Sequence, residues 1–178
     1  MKPSGWARPE HAPEYFCGLA VDPGLTCTGW SRWALRRGSA PYLLCAGYVP
    51  PVKARGPAGW LEVASFLLER VAGWGVDILV VETMQLYARG KGGPGVADDL
   101  LELQGIAGAV AATFRNADVY GVLPAEWKGQ VPKAVTLARV EALLERHGGD
   151  WGGVDWPAPS LRHNVADAVG IGAHAFGV

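Results

Sequence analysis

The 178-residue sequence predicts a single-domain α/β fold in which helices flank a mixed sheet. Five short apolar or aromatic runs have the length and composition of strands, at 16–21, 28–37, 41–49, 76–82 and 118–123. Four longer segments have helical spacing or helix-start signals, at 60–74, 96–114, 133–146 and 161–176. The order strand, helix, strand after an initial hairpin predicts parallel strands beside antiparallel ones.

The hairpin is predicted at 28–49, because Gly38, Ser39 and Ala40 separate two strand-like runs. The helix at 96–114 is apolar over more than one face. Such a helix should be buried on two sides, which predicts contact with the sheet on one side and with a partner subunit on the other. Gly105 and Gly108 would allow another helix to approach closely. The sequence therefore predicts a homodimer formed through the 96–114 helix.

Composition excludes several classes of protein. The net charge of −1 means that any nucleic-acid surface has to be a local basic patch. Three cysteines without a CxxC pair indicate neither a disulfide framework nor a zinc site. Residues 1–14 hold charges and prolines without an apolar leader segment, which predicts a flexible arm. With no run long enough to span a membrane, we expect a cytoplasmic protein.

Two acidic residues stand at the ends of predicted buried strands. Asp22 closes the first strand, where Pro23 and Gly24 force a turn because proline fixes φ and glycine tolerates positive φ. Glu82 closes the later strand VDILVVE. If the two strands are neighbours, both carboxylates lie at one edge of the sheet. The alternatives are a purely turn-forming role for Asp22 and a solvated strand end at Glu82.

A third acid, Asp167, lies on the predicted last helix. Asn164 precedes it by three residues and His163 by four, which places all three on one helical face. That face would complete a cluster of three carboxylates with an amide or an imidazole. The alternatives are an arginine partner for Asp167 and no ligand role for His163.

A cluster of this composition predicts a site for hard divalent cations. Neighbouring carboxylates raise each other's pKa, and a bound cation relieves their repulsion. Mg²⁺ prefers oxygen ligands, and two such ions can clamp the attacking and leaving oxygens of a phosphodiester. In this scheme Asp22 bridges two ions, and Glu82 and Asp167 each hold one of them.

Four stretches resemble the RuvC family of Holliday-junction resolvases, within the RNase H-like superfamily: GLAVDPGLTCTGW, DILVVE, LLELQGIAGAVAA and HNVADAVGIGAHA. The resemblance implies an RNase H-like fold with a five-stranded mixed sheet. It also implies a homodimeric endonuclease that uses Mg²⁺ or Mn²⁺, two ions per active site. Such an enzyme nicks paired strands of four-way DNA and leaves 5′-phosphate and 3′-hydroxyl ends.

The resemblance assigns catalytic roles to Asp22, Glu82 and Asp167. The family's fourth position is Asp or His, and this chain has Asn164 there with His163 beside it. The amide could coordinate a metal ion through its oxygen, whereas the imidazole is favoured as the catalytic group. The sequence leaves that choice open.

The resemblance also points to DNA-binding residues. Lys128 and Lys133 match family lysines near the scissile phosphate. The segment after Glu82 matches a part of the family that enters the junction, where Tyr87 would stack on a base and Arg89 and Lys91 would contact the backbone. A loop anchored in the core and solvated lysines are the alternatives.

Three other functions are compatible with parts of this sequence pattern. A related nuclease would cut other branched DNA or structured RNA. An ATP-binding protein of the same superfamily has a similar phosphate loop, but it needs two such domains and this chain has room for one. A scaffold without catalysis is disfavoured by acids at all three main positions.

Overall fold

The structure is a computed structural model that describes residues 15–71, 75–84, 96–129, 131–146 and 153–178. The predicted arm at 1–14 lies outside the described residues, and so do Tyr87, Arg89 and Lys91. Of Lys133 only the backbone is described.

Five strands form one sheet in the order β3-β2-β1-β4-β5. They are β1 (Tyr15–Asp22), β2 (Thr28–Arg36), β3 (Tyr42–Val49), β4 (Ile78–Glu82) and β5 (Asp118–Val122). β1 runs parallel to β4 and β4 parallel to β5, whereas β1–β2 and β2–β3 are antiparallel. The predicted mixed sheet is confirmed, including the hairpin, whose turn contains Gly38 with a positive φ of 77°.

In the part of the chain that the structure describes, five helices surround the sheet: α1 (Pro57–Arg70), α2 (Val96–Thr113), α3 (Pro124–Trp127), α4 (Lys133–Arg146) and α5 (Arg162–Phe176). A 3₁₀ turn at Pro159–Leu161 precedes α5. Within the described ranges, no helix combines the length and apolarity that crossing a bilayer requires.

The sheet separates two apolar cores, because successive side chains of a strand point to opposite faces. Leu19, Val21 and Val81 belong to the core beneath α1 and α2. Ala20, which precedes Val21, and Val80, which precedes Val81, belong to the core beneath α4 and α5. This alternation decides which face receives the residue that ends each strand.

Two of the differences from the predicted elements concern helices. α1 begins at Pro57 rather than at residue 60, because proline is well suited to the first turn of a helix. Between the predicted strand at 118–123 and the predicted helix at 133–146, residues 124–127 form the additional helix α3. There the Glu126 carboxylate accepts a 2.7 Å hydrogen bond from the backbone N–H of Leu123, which caps this short helix.

Small residues let α5 lie directly on the sheet. A Cβ atom at Gly29 of β2 would overlap the backbone of Asn164, and one at Gly172 would overlap the indole of Trp33. The Ser31 hydroxyl donates a 2.7 Å hydrogen bond to the carbonyl of Ala168. These contacts fix α5 in depth and register against β2.

α2 has one buried side and one exposed side. Ile106 and Val110 are buried in the core with α1. Gly105 packs against the ring of Trp60 in α1, so the close approach predicted at this glycine occurs within the chain. Leu101 is 67% exposed on the other side. The homodimer through this helix stays a prediction.

Two helical glycines offer a matched test of this packing. We expect Gly172→Ala to lower the free energy of unfolding by about 1–3 kcal/mol, because the buried Trp33 ring cannot give way. We expect Gly108→Ala to raise it by about 1 kcal/mol, because the space there is open and alanine favours a helix. Urea unfolding followed by circular dichroism measures both. Equal effects would mean that α5 does not lie this close to β2.

Candidate active site where two parallel strands end

Asp22 and Glu82 end adjacent parallel strands. Val21 pairs with Val81, so the acids that follow stand side by side at one end of the sheet. Strand alternation directs both toward the face covered by α5, since Ala20 and Val80 lie in that core. Both residues are buried, with 7% of Asp22 and 5% of Glu82 exposed. The juxtaposition predicted from the sequence is present.

α5 brings Asp167 to the same place. Asp167 is 3% exposed, and its Oδ1 has no hydrogen-bond partner among the described residues. Asn164 is also buried, and its Nδ2 donates a 3.1 Å hydrogen bond to the carbonyl of Leu161. The Oδ1 of Asn164 lies near Gly24, in the turn that follows Asp22. One face of α5 thus meets both the strand ends and this turn.

α3 contributes two side chains to the acids. The indole Nε1 of Trp127 donates a 2.8 Å hydrogen bond to Oε2 of Glu82. The Nζ of Lys128 donates a 2.9 Å hydrogen bond to Oδ2 of Asp167 and lies 3.7 Å from Oε2 of Glu82. The same Nζ lies 4.6 Å from the centroid of the Trp127 ring. Lys128 therefore sits between two of the three acids.

The electrostatics follow from burial and from these contacts. Burial raises the pKa of Glu82, and Asp167 adds to that effect, whereas Lys128 and the Trp127 hydrogen bond oppose it. Burial lowers the pKa of Lys128, but the hydrogen bond and charge of Asp167, with the charges of Glu82 and Asp22, raise it overall. Lys128 is therefore a charged ammonium at neutral pH. Because Asp22 affects that pKa, all three acids act on one lysine.

Cys27 is a neighbour of the site that sequence reasoning missed. It is buried, and burial raises its pKa from 9.0 to about 11, with a hydrogen bond to Asn164 lowering it and the Asp22 charge raising it. The thiol thus lies beside both residues and remains protonated at neutral pH. It lies in the TCTG stretch that follows the Asp22 turn, but cysteine has no recognised role in such a turn.

Three solved structures share this architecture with the chain. Thermus thermophilus RuvC matches with a TM-score of 0.58 at 20% identity, over 88% of this chain and 90% of that one. T. thermophilus RuvC in complex with Holliday junction substrate matches with a TM-score of 0.61 at 19% identity, over the same shares. The yeast mitochondrial Holliday junction resolvase Ydc2 matches with a TM-score of 0.54 at 11% identity, over 93% of this chain and 82% of that one.

This chain has a RuvC-like fold. The RNase H-like architecture implied by the sequence resemblance is therefore confirmed. No protein-family model and no curated protein sequence matches the chain significantly. At identities of 20% or less, the likeness establishes the fold and leaves the activity to be argued from the site.

The other residues predicted to belong to the site lie at the following places in the structure. His163 is half-buried in the first turn of α5, next to the buried Asn164. Lys128 contacts two of the acids, and its predicted contact with the phosphate stays a prediction. The backbone of Lys133 begins α4. The sequence analysis did not identify Trp127 as a site residue. The short helix that carries it could have been found, because Pro124 and Glu126, at the first and third positions after Leu123, form a recognisable helix-start signal.

The donor atoms suit a hard cation, although Lys128 stands among them. Within the described ranges, no group of three or more acidic, histidine or cysteine side chains is arranged so that it could hold a metal ion as it stands. The available donors are carboxylate oxygens and the Asn164 amide oxygen, which Mg²⁺ and Mn²⁺ accept. The unpartnered Oδ1 of Asp167 is a buried oxygen of the kind that a cation satisfies. By this chemistry the residues fit a divalent ion once the ammonium moves.

The Cys27 environment gives a test of this geometry. We expect iodoacetamide at pH 8 to modify Cys27 at least about tenfold more slowly than Cys17, because a thiol with a pKa about three units above ambient is almost entirely protonated. Cys45 is a poorer reference, since burial also raises its pKa. Cys17 and Cys45 are only partly buried. Mass spectrometry of peptides measures the rates, with urea-unfolded protein as control. Equal rates in the folded protein would contradict this site.

Proposed function

We propose that this chain is a metal-dependent endonuclease that resolves four-way DNA junctions by paired phosphodiester hydrolysis, with 5′-phosphate and 3′-hydroxyl products. The observation that carries the proposal is the meeting of Asp22, Glu82 and Asp167, all buried, at one end of the sheet in a RuvC-like fold. One matching structure is titled as RuvC with a Holliday junction substrate, which favours that DNA over other branched nucleic acids.

Asp22, Glu82 and Asp167 would together hold Mg²⁺ or Mn²⁺. Bound divalent ions supply an activated water nucleophile at neutral pH and neutralise the charge that develops on phosphate oxygens. Asn164 is better placed than His163 to complete the ligand set, because it is buried and its oxygen faces the Asp22 turn. His163, half-buried beside it, would then serve as the group that moves a proton at the substrate.

The chain's own residues also orient the substrate. Lys128 is a cation in contact with two of the acids, so it is suited to contact the phosphate under attack. Lys133 begins α4 and would contact the flanking DNA backbone. In the segment after β4, Arg89 and Lys91 would also contact the backbone, and Tyr87 would stack on a base. These contacts would form the local basic patch that a chain with a net charge of −1 needs.

Paired cleavage requires two active sites, and a symmetric dimer would supply them. The exposed side of α2 is the proposed interface. It presents Leu101, whereas the opposite side of the helix is already buried against α1. A single copy of the chain would nick one strand only.

Asp22→Asn tests the catalytic assignment. We expect wild-type protein with Mg²⁺ to cut a synthetic four-way junction at paired sites and to leave linear duplex largely intact. Asp22→Asn should bind the junction but cut at least about a thousandfold more slowly, because loss of a metal-binding carboxylate removes several kcal/mol of transition-state stabilisation. Gel assays of binding and cleavage measure both.

Asp99→Asn is the matched control, because Asp99 forms only an exposed ion pair with Arg55. It should cut at the wild-type rate. Normal cleavage by Asp22→Asn would refute the metal assignment. Equal cutting of junction and duplex, or preference for structured RNA, would refute the junction specificity while leaving the nuclease assignment in place.

Leu101→Arg tests the dimer. We expect wild-type protein to sediment as a dimer at micromolar concentration and Leu101→Arg to shift it toward monomer, because a buried unpaired charge opposes association. Leu61→Arg is the control, since Leu61 is a similarly exposed leucine on α1, 60% accessible. A monomeric wild-type protein, or equal dissociation by both variants, would rule out this interface.

A further inference from the structure

Trp127 ends α3 and Lys128 follows it directly, and both contact the acids. Trp127 holds Oε2 of Glu82 through its indole N–H at 2.8 Å. Lys128 reaches Oδ2 of Asp167 at 2.9 Å, and its ammonium also lies near the Trp127 ring. Two neighbouring residues therefore contact Glu82 and Asp167 from the same side.

We propose that Trp127 is a positioning residue of the candidate metal site, and that it seats the Lys128 ammonium between Glu82 and Asp167 as an internal counter-cation that an entering divalent ion must displace. The inference rests on the proposed metal-dependent function and concerns residues that the motif resemblance does not explain.

The position of the Trp127 ring is fixed from two sides. A Cβ atom at Gly170 of α5 would overlap the ring, so the indole lies directly against the helix that carries Asp167. The indole nitrogen can only donate a hydrogen bond. It therefore fixes which oxygen of Glu82 faces α3 and limits rotation of that carboxylate. Partners of this kind orient metal-binding carboxylates in other proteins.

Lys128 acts in the opposite direction on metal binding. Its ammonium neutralises part of the charge of three buried acids when no ion is bound. A divalent ion between the same carboxylates would lie within a few ångström of that ammonium, and the two cations would repel each other. Lysine has a flexible stem, so the ammonium can leave without rearrangement of α3.

The two residues thus predict opposite changes in affinity. Loss of the Trp127 donor should weaken metal binding, because Glu82 is no longer oriented. Loss of the Lys128 charge should strengthen it, because a competing cation is gone. General damage to the fold would weaken binding in both variants.

Calcium titration of the full chain without DNA measures these changes by isothermal titration calorimetry. We expect Trp127→Phe, which keeps a ring but removes the donor, to weaken Ca²⁺ binding roughly 10- to 100-fold. We expect Lys128→Met to tighten it about tenfold or more. Trp127→His keeps a ring N–H that can donate to Glu82, so it should recover part of the affinity. Ca²⁺ prefers oxygen ligands over imidazole, so the recovery would not come from the new histidine binding the ion.

Trp60→Phe is the matched control. Trp60 also donates its indole N–H to a carboxylate, Oε2 of Glu102 at 2.7 Å, but away from the acids. This variant should melt at a lower temperature and bind Ca²⁺ like the wild type. In EDTA, Lys128→Met should also melt lower than wild type and gain more from added Ca²⁺.

The possible results distinguish failure of this inference from failure of the proposed function. Wild-type binding of Ca²⁺ with unchanged affinity in Trp127→Phe would overturn the positioning role. Weaker or unchanged binding in Lys128→Met would overturn the counter-cation role, and this variant decides the matter if Trp127→Phe does not fold. Absence of Ca²⁺ binding by the wild type at millimolar concentration would overturn both this inference and the proposed metal-dependent function.

Discussion

The burial of three carboxylates at one end of the sheet is the constraint on which the rest of the structure depends. Asp22, Glu82 and Asp167 are each less than 10% exposed, and charged groups are costly to bury unless they are paired or bind an ion. One ammonium, that of Lys128, stands against these three carboxylates, and burial raises the pKa of Glu82 in spite of it. A site with this imbalance attracts a further positive charge.

The packing around the acids opposes any backbone movement that would separate the three carboxylates. Leu67 and Val110 on one side of the sheet and Val165 on the other are fully buried, so the strand ends cannot move apart to relieve the repulsion. On the side of the acids, glycine and serine contacts hold α5 against β2, and Asp167 is carried on that helix. Relief has to come from a cation rather than from a change of backbone.

The sequence predicted the parts of the site that depend on local pattern. An apolar run that stops at an acid identified Asp22 and Glu82, and helical spacing identified Asp167. The short α3 was missed, because four residues between proline and glycine give no periodicity and Leu123 is an unusual residue before a helix. The contact of Lys128 with the acids could not be predicted, since it joins residues 39 positions apart through tertiary packing.

The placement of Lys128 also bears on its predicted role at the phosphate. While its ammonium is held by Glu82 and Asp167, less of its charge is available to a substrate phosphate. With the proposed counter-cation role, ions that enter the cluster take over the neutralisation and release the ammonium on its flexible stem. The released charge lies at the mouth of the same site, where a phosphodiester would bind. The two assignments then describe one lysine before and after metal binding, and cleavage would require the ions to enter first.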